Sequence, residues 1–284
     1  MKYKLQMVLS MVLYGTLSLF VRNIPLTSAE VALFRAAIAL ACLLLWQALR
    51  GGLPRLGEMG SDLPRLFLSG AAMGFNWILL FEAYRYTTVS VATLSYYFAP
   101  VLVMLLSPVL FRERMTRRQV LCFVGASVGL VLVINVAAAP GGSHLKGVAF
   151  GLAAAALYAT VVLVNKGIRR VSGIDRTVLQ FAAAALVLLP YVLATSGIRL
   201  EAMTPVGWAC LACVGVVHSG VAYVLYFSSL RSLPGQEAAI LSYIDPLVAV
   251  VLSLTVLGEP VTGLQLAGGA MILAFTLLNE LQGR

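Results

Sequence analysis

The chain has 284 residues, of which 61% are hydrophobic and 11% charged, and it carries a formal net charge of +9. An average soluble domain has roughly a quarter of its residues charged. With this much apolar surface to cover, a lipid bilayer is the expected solvent. The positive balance does not mark a nucleic-acid binder, because the basic residues lie in short gaps between apolar runs and not on one patch.

Ten apolar segments follow one another, at about 5–21, 30–49, 65–84, 89–111, 118–136, 146–166, 175–196, 205–229, 236–257 and 263–281. Each has about the 20 residues that a helix needs to cross ~30 Å of hydrocarbon. None shows the alternation of barrel strands. In lipid each span must satisfy its own backbone, so an all-α membrane protein of ten transmembrane helices is expected. Lys2 and Lys4 before the first run resemble the start of a signal peptide. No small-x-small cleavage pattern follows promptly, so the segment reads as a retained first span. Thr27 and Glu30 form a capping box that opens the second helix; Thr116 with Gln119 and Thr262 with Gln265 open the fifth and tenth. Pro54, Pro64, Pro140 and Pro205 punctuate connections. Cys42, Cys122, Cys210 and Cys213 all lie inside apolar runs. Cys210 and Cys213 have C-x-x-C spacing but no second ligand pair, so they read as small buried side chains and no metal is expected.

The fourth and ninth segments are copies. Sliding 81–120 against 227–266, an offset of 146, needs no gap and gives ten identities in forty positions. Among them are Arg85/Arg231, Tyr97/Tyr243, Pro100/Pro246, Glu113/Glu259, Thr116/Thr262 and Gln119/Gln265. Shared apolar composition does not align a Pro, a Glu, a Thr and a Gln at one offset, so the chain is a duplicated unit. The units are 1–138 and 145–284, joined by a linker at 139–144. With the N-terminus cytoplasmic, fifteen Lys and Arg residues fall inside and four (Arg22, Arg85, Lys146 and Arg199) outside, a positive-inside bias that puts both termini in the cytoplasm. Five helices per unit is an odd number, so the halves enter from opposite sides. Inverted five-helix repeats are a transporter architecture, with the site near the midplane between the halves.

In each half an aromatic-x-x-Pro element, an apolar run and Glu-x-x-Thr-x-x-Gln follow in order, and Phe34 and Arg35 stand near the start of the second helix. In these features the whole chain resembles the EamA-like family of the drug/metabolite transporter superfamily. The resemblance implies a cavity lined by helices 1–4 and 6–9, with helices 5 and 10 peripheral and the Glu-Thr-Gln motifs structural. Relatives implied by it include exporters of amino acids and other small metabolites, and nucleotide-sugar carriers.

Counting inward at 1.5 Å per residue, several polar and aromatic residues fall at mid-span. They are Tyr14 and Tyr158 in spans 1 and 6, Asn76 and Trp77 in span 3, His218 and Tyr223 in span 8, and Tyr97, Tyr243 and Asp245 in spans 4 and 9. Interface anchoring does not apply to rings at that depth, and an aromatic-walled pocket suits an amphipathic metabolite or an organic cation. Pro100 and Pro246 each leave a free carbonyl and a kink, and are the hinge candidates. A carboxylate at a helix centre costs about 2.5–3.5 kcal/mol on insertion scales, so Asp245 should face a cavity or a partner. His218 is its natural companion, as a proton-responsive pair or as a structural hydrogen bond. Arg35 lies about 8 Å into span 2; it either holds an anionic group, snorkels, or pairs with an acid such as Glu30. Gln180, also polar and 145 residues on, is read as its counterpart in the second unit. Glu82 and Arg85 read as an interfacial ion pair, Glu237 as a helix N-terminal acid, and Glu113 and Glu259 as structural.

The expected function is a secondary transporter that exports small amphipathic metabolites by alternating access. Carriage of nucleotide-sugar-like or organic-cation substrates by facilitation or exchange is the alternative, and a membrane-embedded enzyme a remote one. No Walker motif is present, so ATP is not the direct energy source. No cofactor is expected, and proton coupling stays open. The expected partners are the bilayer of a bacterial-type inner or plasma membrane and a small molecule, with the chain as a monomer or a homodimer.

Overall fold

The computed structural model of the chain describes residues 2–49, 60–111, 116–134, 142–168, 170–171, 173–230, 232–233 and 235–281. Pro54, Glu113, Pro140, the start of the 139–144 linker, and Arg50, Arg55, Arg112, Arg114, Arg169, Arg231 and Arg284 lie outside the described residues. Within them the protein is helical, in the order α1 (Lys2–Val21), α2 (Ser28–Leu49), α3 (Leu63–Tyr86), α4 (Val89–Tyr96), α5 (Ala99–Phe111), α6 (Arg117–Ile134) and α7 (Gly142–Lys166). There follow α8 (Gly173–Thr195), α9 (Pro205–Ala212), a π-helical stretch (Cys213–Val221), α10 (Ala222–Leu230), α11 (Gly235–Ser242), α12 (Ile244–Thr255) and α13 (Gly263–Glu280). The ten apolar segments correspond to eight helices long and apolar enough to cross a membrane and two shorter apolar ones, Ile240–Thr255 and Gly263–Asn279. Leu45, Leu49, Val109, Val131, Leu186 and Leu193 point outward and are exposed, as a lipid-facing rim requires.

The helix starts carry the chemistry their sequence predicts. Thr27 N–H and its hydroxyl both donate to Glu30 Oε2. Thr116 and Gln119 satisfy each other's backbone N–H groups, as do Thr262 and Gln265. These bonds absorb donors that an α-helix leaves unpaired in its first turn.

Two spans break near their centres. α4 ends at Tyr96 and α5 begins at Ala99; α11 ends at Ser242 and α12 begins at Ile244. Pro100 and Pro246 stand in the first turns after the breaks, where a proline's missing N–H costs nothing. The third irregularity has no proline: the chain from Cys213 to Val221 is wound as a π-helix.

α3 is the central element and packs on α2, α4, α7 and α8. α6 and α13 pack on each other. There Gly129 and Gly268 face one another: a Cβ at Gly129 would lie 2.7 Å from the Gly268 carbonyl oxygen, and one at Gly268 would strike the Gly129 carbonyl oxygen. Small residues at such a seam let two helices approach without a hydrophobic driving force. This leaves α1–α5 and α7–α12 to enclose the interior.

Candidate functional site

A cavity of about 410 Å³ lies where the two broken spans meet α1, α2, α3, α7 and α10. Its wall is largely aromatic: Tyr14, Trp77, Tyr84, Tyr96, Tyr97, Tyr158, Tyr223, Tyr226 and Tyr243 all line it. The rings pack edge-on or tilted against one another. Tyr14 meets Tyr223 at 5.6 Å between centroids, Tyr96 meets Tyr158 at 5.6 Å, and Tyr97 meets Tyr243 at 6.5 Å. Such contacts add to the stiffness of an apolar wall.

Two charged side chains open into this space, Arg35 from α2 and Asp245 from α12. Arg35 is 3% exposed. Its Nε donates to Ser219 Oγ at 2.8 Å, and its guanidinium carbon stands 4.6 Å from the Trp77 ring centroid and 5.8 Å from that of Phe81. Of the alternatives for Arg35, pairing with Glu30 does not form, because Glu30 is taken up by Thr27 and the backbone N–H of Arg199. Asp245 Oδ2 accepts from the Tyr97 hydroxyl at 2.7 Å. Gly15 lets α1 come close behind it: a Cβ there would be 2.7 Å from the Asp245 carbonyl oxygen. Among the described residues, Arg35 and Asp245 share this cavity without an ion pair between them.

Of the residues singled out by depth, Tyr14, Arg35, Trp77, Tyr97, Pro100, Tyr158, Tyr223, Tyr243 and Asp245 line the cavity. Asn76, Gln180 and His218 do not, and Pro246 is buried beside it. Asn76 Nδ2 donates to the Ala154 carbonyl at 2.6 Å, tying α3 to α7. Gln180 donates to Ser69 Oγ and to Asn165 Oδ1, tying α8 to α3 and α7. His218 stands against Phe20, with Nε2 3.0 Å from Thr16 Oγ1 and Nδ1 3.2 Å from the Cys213 carbonyl. With the proton on Nδ1 the neutral ring donates to the Cys213 carbonyl, and Nε2 shares the Thr16 hydroxyl proton with the Leu13 carbonyl, 2.8 Å from Thr16 Oγ1. The expected His218–Asp245 companionship is therefore replaced by two separate pairs, His218 with Thr16 and Asp245 with Tyr97.

Sequence reasoning missed Tyr84, Tyr96 and Tyr226, which also line the cavity. Tyr84 stands seven residues after Trp77 and Tyr226 three after Tyr223, so helical spacing put each on the face of a residue already chosen. It also missed Ser219, for which no local pattern spoke.

A polar knot is tied to the cavity wall at Tyr84. Arg22 pairs with Glu259 and donates to the Tyr84 and Thr87 carbonyls at 2.9 and 3.3 Å. Glu259 accepts in turn from Val89 N–H at 2.8 Å and from the Ser253 hydroxyl. Gly258, at φ +61°, makes the turn that delivers Glu259 there. Glu259 thus caps α4, in the other half of the chain, and not the helix it precedes. A second pocket of about 580 Å³ shares Tyr84 with the cavity and is lined by Arg22, Glu30, Arg85 and Arg199. The expected Glu82–Arg85 pair is present at 3.3 Å. At the other end of α1 Lys4 pairs with Glu237 at 2.9 Å, the lysine largely exposed and the glutamate partly buried. α4 packs against α12, whereas α5 packs on α6 and α7, and α11 on α1, α10, α12 and α13. Among the described residues no group of three His, Cys, Asp or Glu is placed to hold a metal.

The EamA-like transporter family model matches the chain twice, over residues 1–135 and 145–280. The chain belongs to the EamA-like transporter family. It is 29% identical over 285 residues to an uncharacterized transporter of Bacillus subtilis (strain 168), YxxF, covering 99% of this chain and 90% of that one. It is 28% identical over 190 residues to a probable amino-acid metabolite efflux pump of Salmonella typhimurium (strain LT2), covering 62% of each. A solved crystal structure shares the fold with a TM-score of 0.67 at 20% identity, covering 99% of both chains. The aromatic cavity is therefore the interior of a drug/metabolite-type transporter, a multi-pass integral membrane protein.

Proposed function

We propose that this EamA-like transporter exports small amphipathic zwitterions, amino acids and related compounds, by alternating access. One observation carries the reading: a buried guanidinium and a carboxylate share one aromatic cavity without neutralising each other. A guanidinium offers a planar fork that matches a carboxylate. Asp245 offers the opposite charge to an ammonium group, and the rings supply both a cation-binding face and apolar area for a side chain. The Salmonella relative is named for the same substrate class, as a probable amino-acid metabolite efflux pump.

The wider frame is part of the proposal. Two units, 1–138 and 145–284, insert with opposite topology, and both termini face the cytoplasm of a bacterial-type inner membrane. Paired breaks at Tyr97 and Tyr243 and matched capping boxes support the duplication, and the split of Lys and Arg supports the orientation. The Arg22–Glu259 knot is then the outer closure, and α5 and α11 diverge toward the cytoplasm. The cavity is complete within one chain, which favours a working monomer. Asp245 would exchange a proton for the substrate ammonium, giving proton antiport.

Counterflow in proteoliposomes tests this. Labelled L-phenylalanine or L-leucine should exchange saturably, with the amide carried roughly tenfold and the deaminated acid roughly 100-fold less well, the range of one charge-assisted contact. An imposed pH gradient should drive net movement. A second reading, carriage of organic cations, is favoured by the ring-lined wall and Asp245. It takes over if a quaternary ammonium compound exchanges and no amino acid does.

A further inference from the structure

We propose that Ser219 is the positioning residue for Arg35, and that the π-helical stretch Cys213–Val221 is the device that presents it; this rests on Arg35 holding the substrate carboxylate. Ser219 is fully buried. Its hydroxyl donates to the Val214 carbonyl, five residues back, at 2.9 Å. That bond commits the only hydroxyl proton, so toward Arg35 Nε, 2.8 Å away, the oxygen is purely an acceptor. A guanidinium tethered at Nε and laid on Trp77 at 4.6 Å has its plane fixed. Nη1 and Nη2 have no protein partner among the described residues, which leaves the two parallel donors that fit a carboxylate.

The winding makes this possible. Gly215 and Gly220 both lie against α2: a Cβ at Gly215 would be 2.5 Å from Ile38 Cγ2, and one at Gly220 would be 3.0 Å from Cys42 Cβ. In an unbroken α-helix, positions five apart stand about 140° apart around the axis, so the two glycines could not both face α2. The wider π turn brings Gly215, Ser219 and Gly220 onto one face, opposite Ile38, Arg35 and Cys42. The preceding residue, His218, turns instead to Thr16 of α1. π turns recur at functional sites because they re-aim single side chains in this way.

The test measures counterflow of L-phenylalanine and L-phenylalaninamide by wild type, Ser219→Ala, Ser219→Thr and Arg35→Gln in proteoliposomes. The preference for phenylalanine over its amide should fall roughly tenfold in Ser219→Ala, through KM and not kcat, as expected for loss of an oriented charge-assisted contact. Ser219→Thr, which keeps the hydroxyl, should recover most of it. Ser219→Cys, close in volume but a poor acceptor, replaces the alanine variant if that one does not fold. An unchanged preference in Ser219→Ala with a lost one in Arg35→Gln overturns the role of Ser219 alone. An unchanged preference in Arg35→Gln, or no phenylalanine counterflow by wild type, overturns the reading of the site itself.

Discussion

Replacing Asp245 with Asn should lower kcat/KM for a zwitterionic substrate by about 100-fold, the equivalent of ~2.7 kcal/mol and near the upper range for one charge-assisted hydrogen bond. Asn keeps the shape and still accepts from Tyr97, so the helix break and the aromatic wall survive. What disappears is the negative charge opposite the substrate ammonium. The repeat sharpens the point, because the matching position is Ala99, which lines the same cavity. The carboxylate is therefore an addition to a duplicated frame and not a requirement of it. Tyr97→Phe removes the donor at 2.7 Å and leaves the charge; its loss should be nearer tenfold. Initial-rate uptake of phenylalanine into proteoliposomes measures both. The two effects should reverse in rank if Tyr97 and not Asp245 makes the decisive contact.

In the proposed orientation, Glu259→Gln should open the outer end of the protein. Glu259 is reached by donors from α1's end, α4 and α12, and among the described residues its charge is matched only by Arg22. The side chains are 11% and 30% exposed, so the pair is screened less than a surface one. Gln still accepts from Val89 N–H and Ser253 and removes only the ionic part. A loss of ~2 kcal/mol in the closed state corresponds to about a 30-fold shift between conformations. A cysteine replacing Thr93, on the cavity wall of α4, reports it. In a background lacking native cysteines, labelling of Thr93→Cys by a membrane-impermeant reagent from outside should accelerate by about that factor. Lys4→Gln, at an exposed pair, should change it little. Equal labelling with and without Glu259→Gln would show that the knot staples helices without gating them.

The sequence was most informative where chemistry is local. Apolar runs, Thr-x-x-Glu and Thr-x-x-Gln caps and two aligned prolines are read over a few residues, and the helix starts and the two central breaks follow them. Depth along a span was also legible, since rise per residue is fixed. Rotation about the helix axis was not. Asn76 and Trp77 stand at the same depth but about 100° apart; Trp77 lines the cavity and Asn76 bonds Ala154 of α7. His218, read by the same depth criterion, and Gln180, read as the counterpart of Arg35, both serve between helices. Two other features depend on distant partners. Glu259 meets Arg22 from the opposite end of the chain, and Ser219 reaches Arg35 only because of a π turn that no proline announces.

The most direct test of a zwitterion held between Arg35 and Asp245 is a comparison of three probes across three proteins. L-phenylalanine, L-phenylalaninamide and 3-phenylpropionate are measured by counterflow with wild type, Arg35→Gln and Asp245→Asn. Arg35→Gln should lose the preference for phenylalanine over the amide and keep that over the deaminated acid; Asp245→Asn should do the reverse. Variants that lower all three probes alike, or that leave both preferences as in wild type, would contradict it.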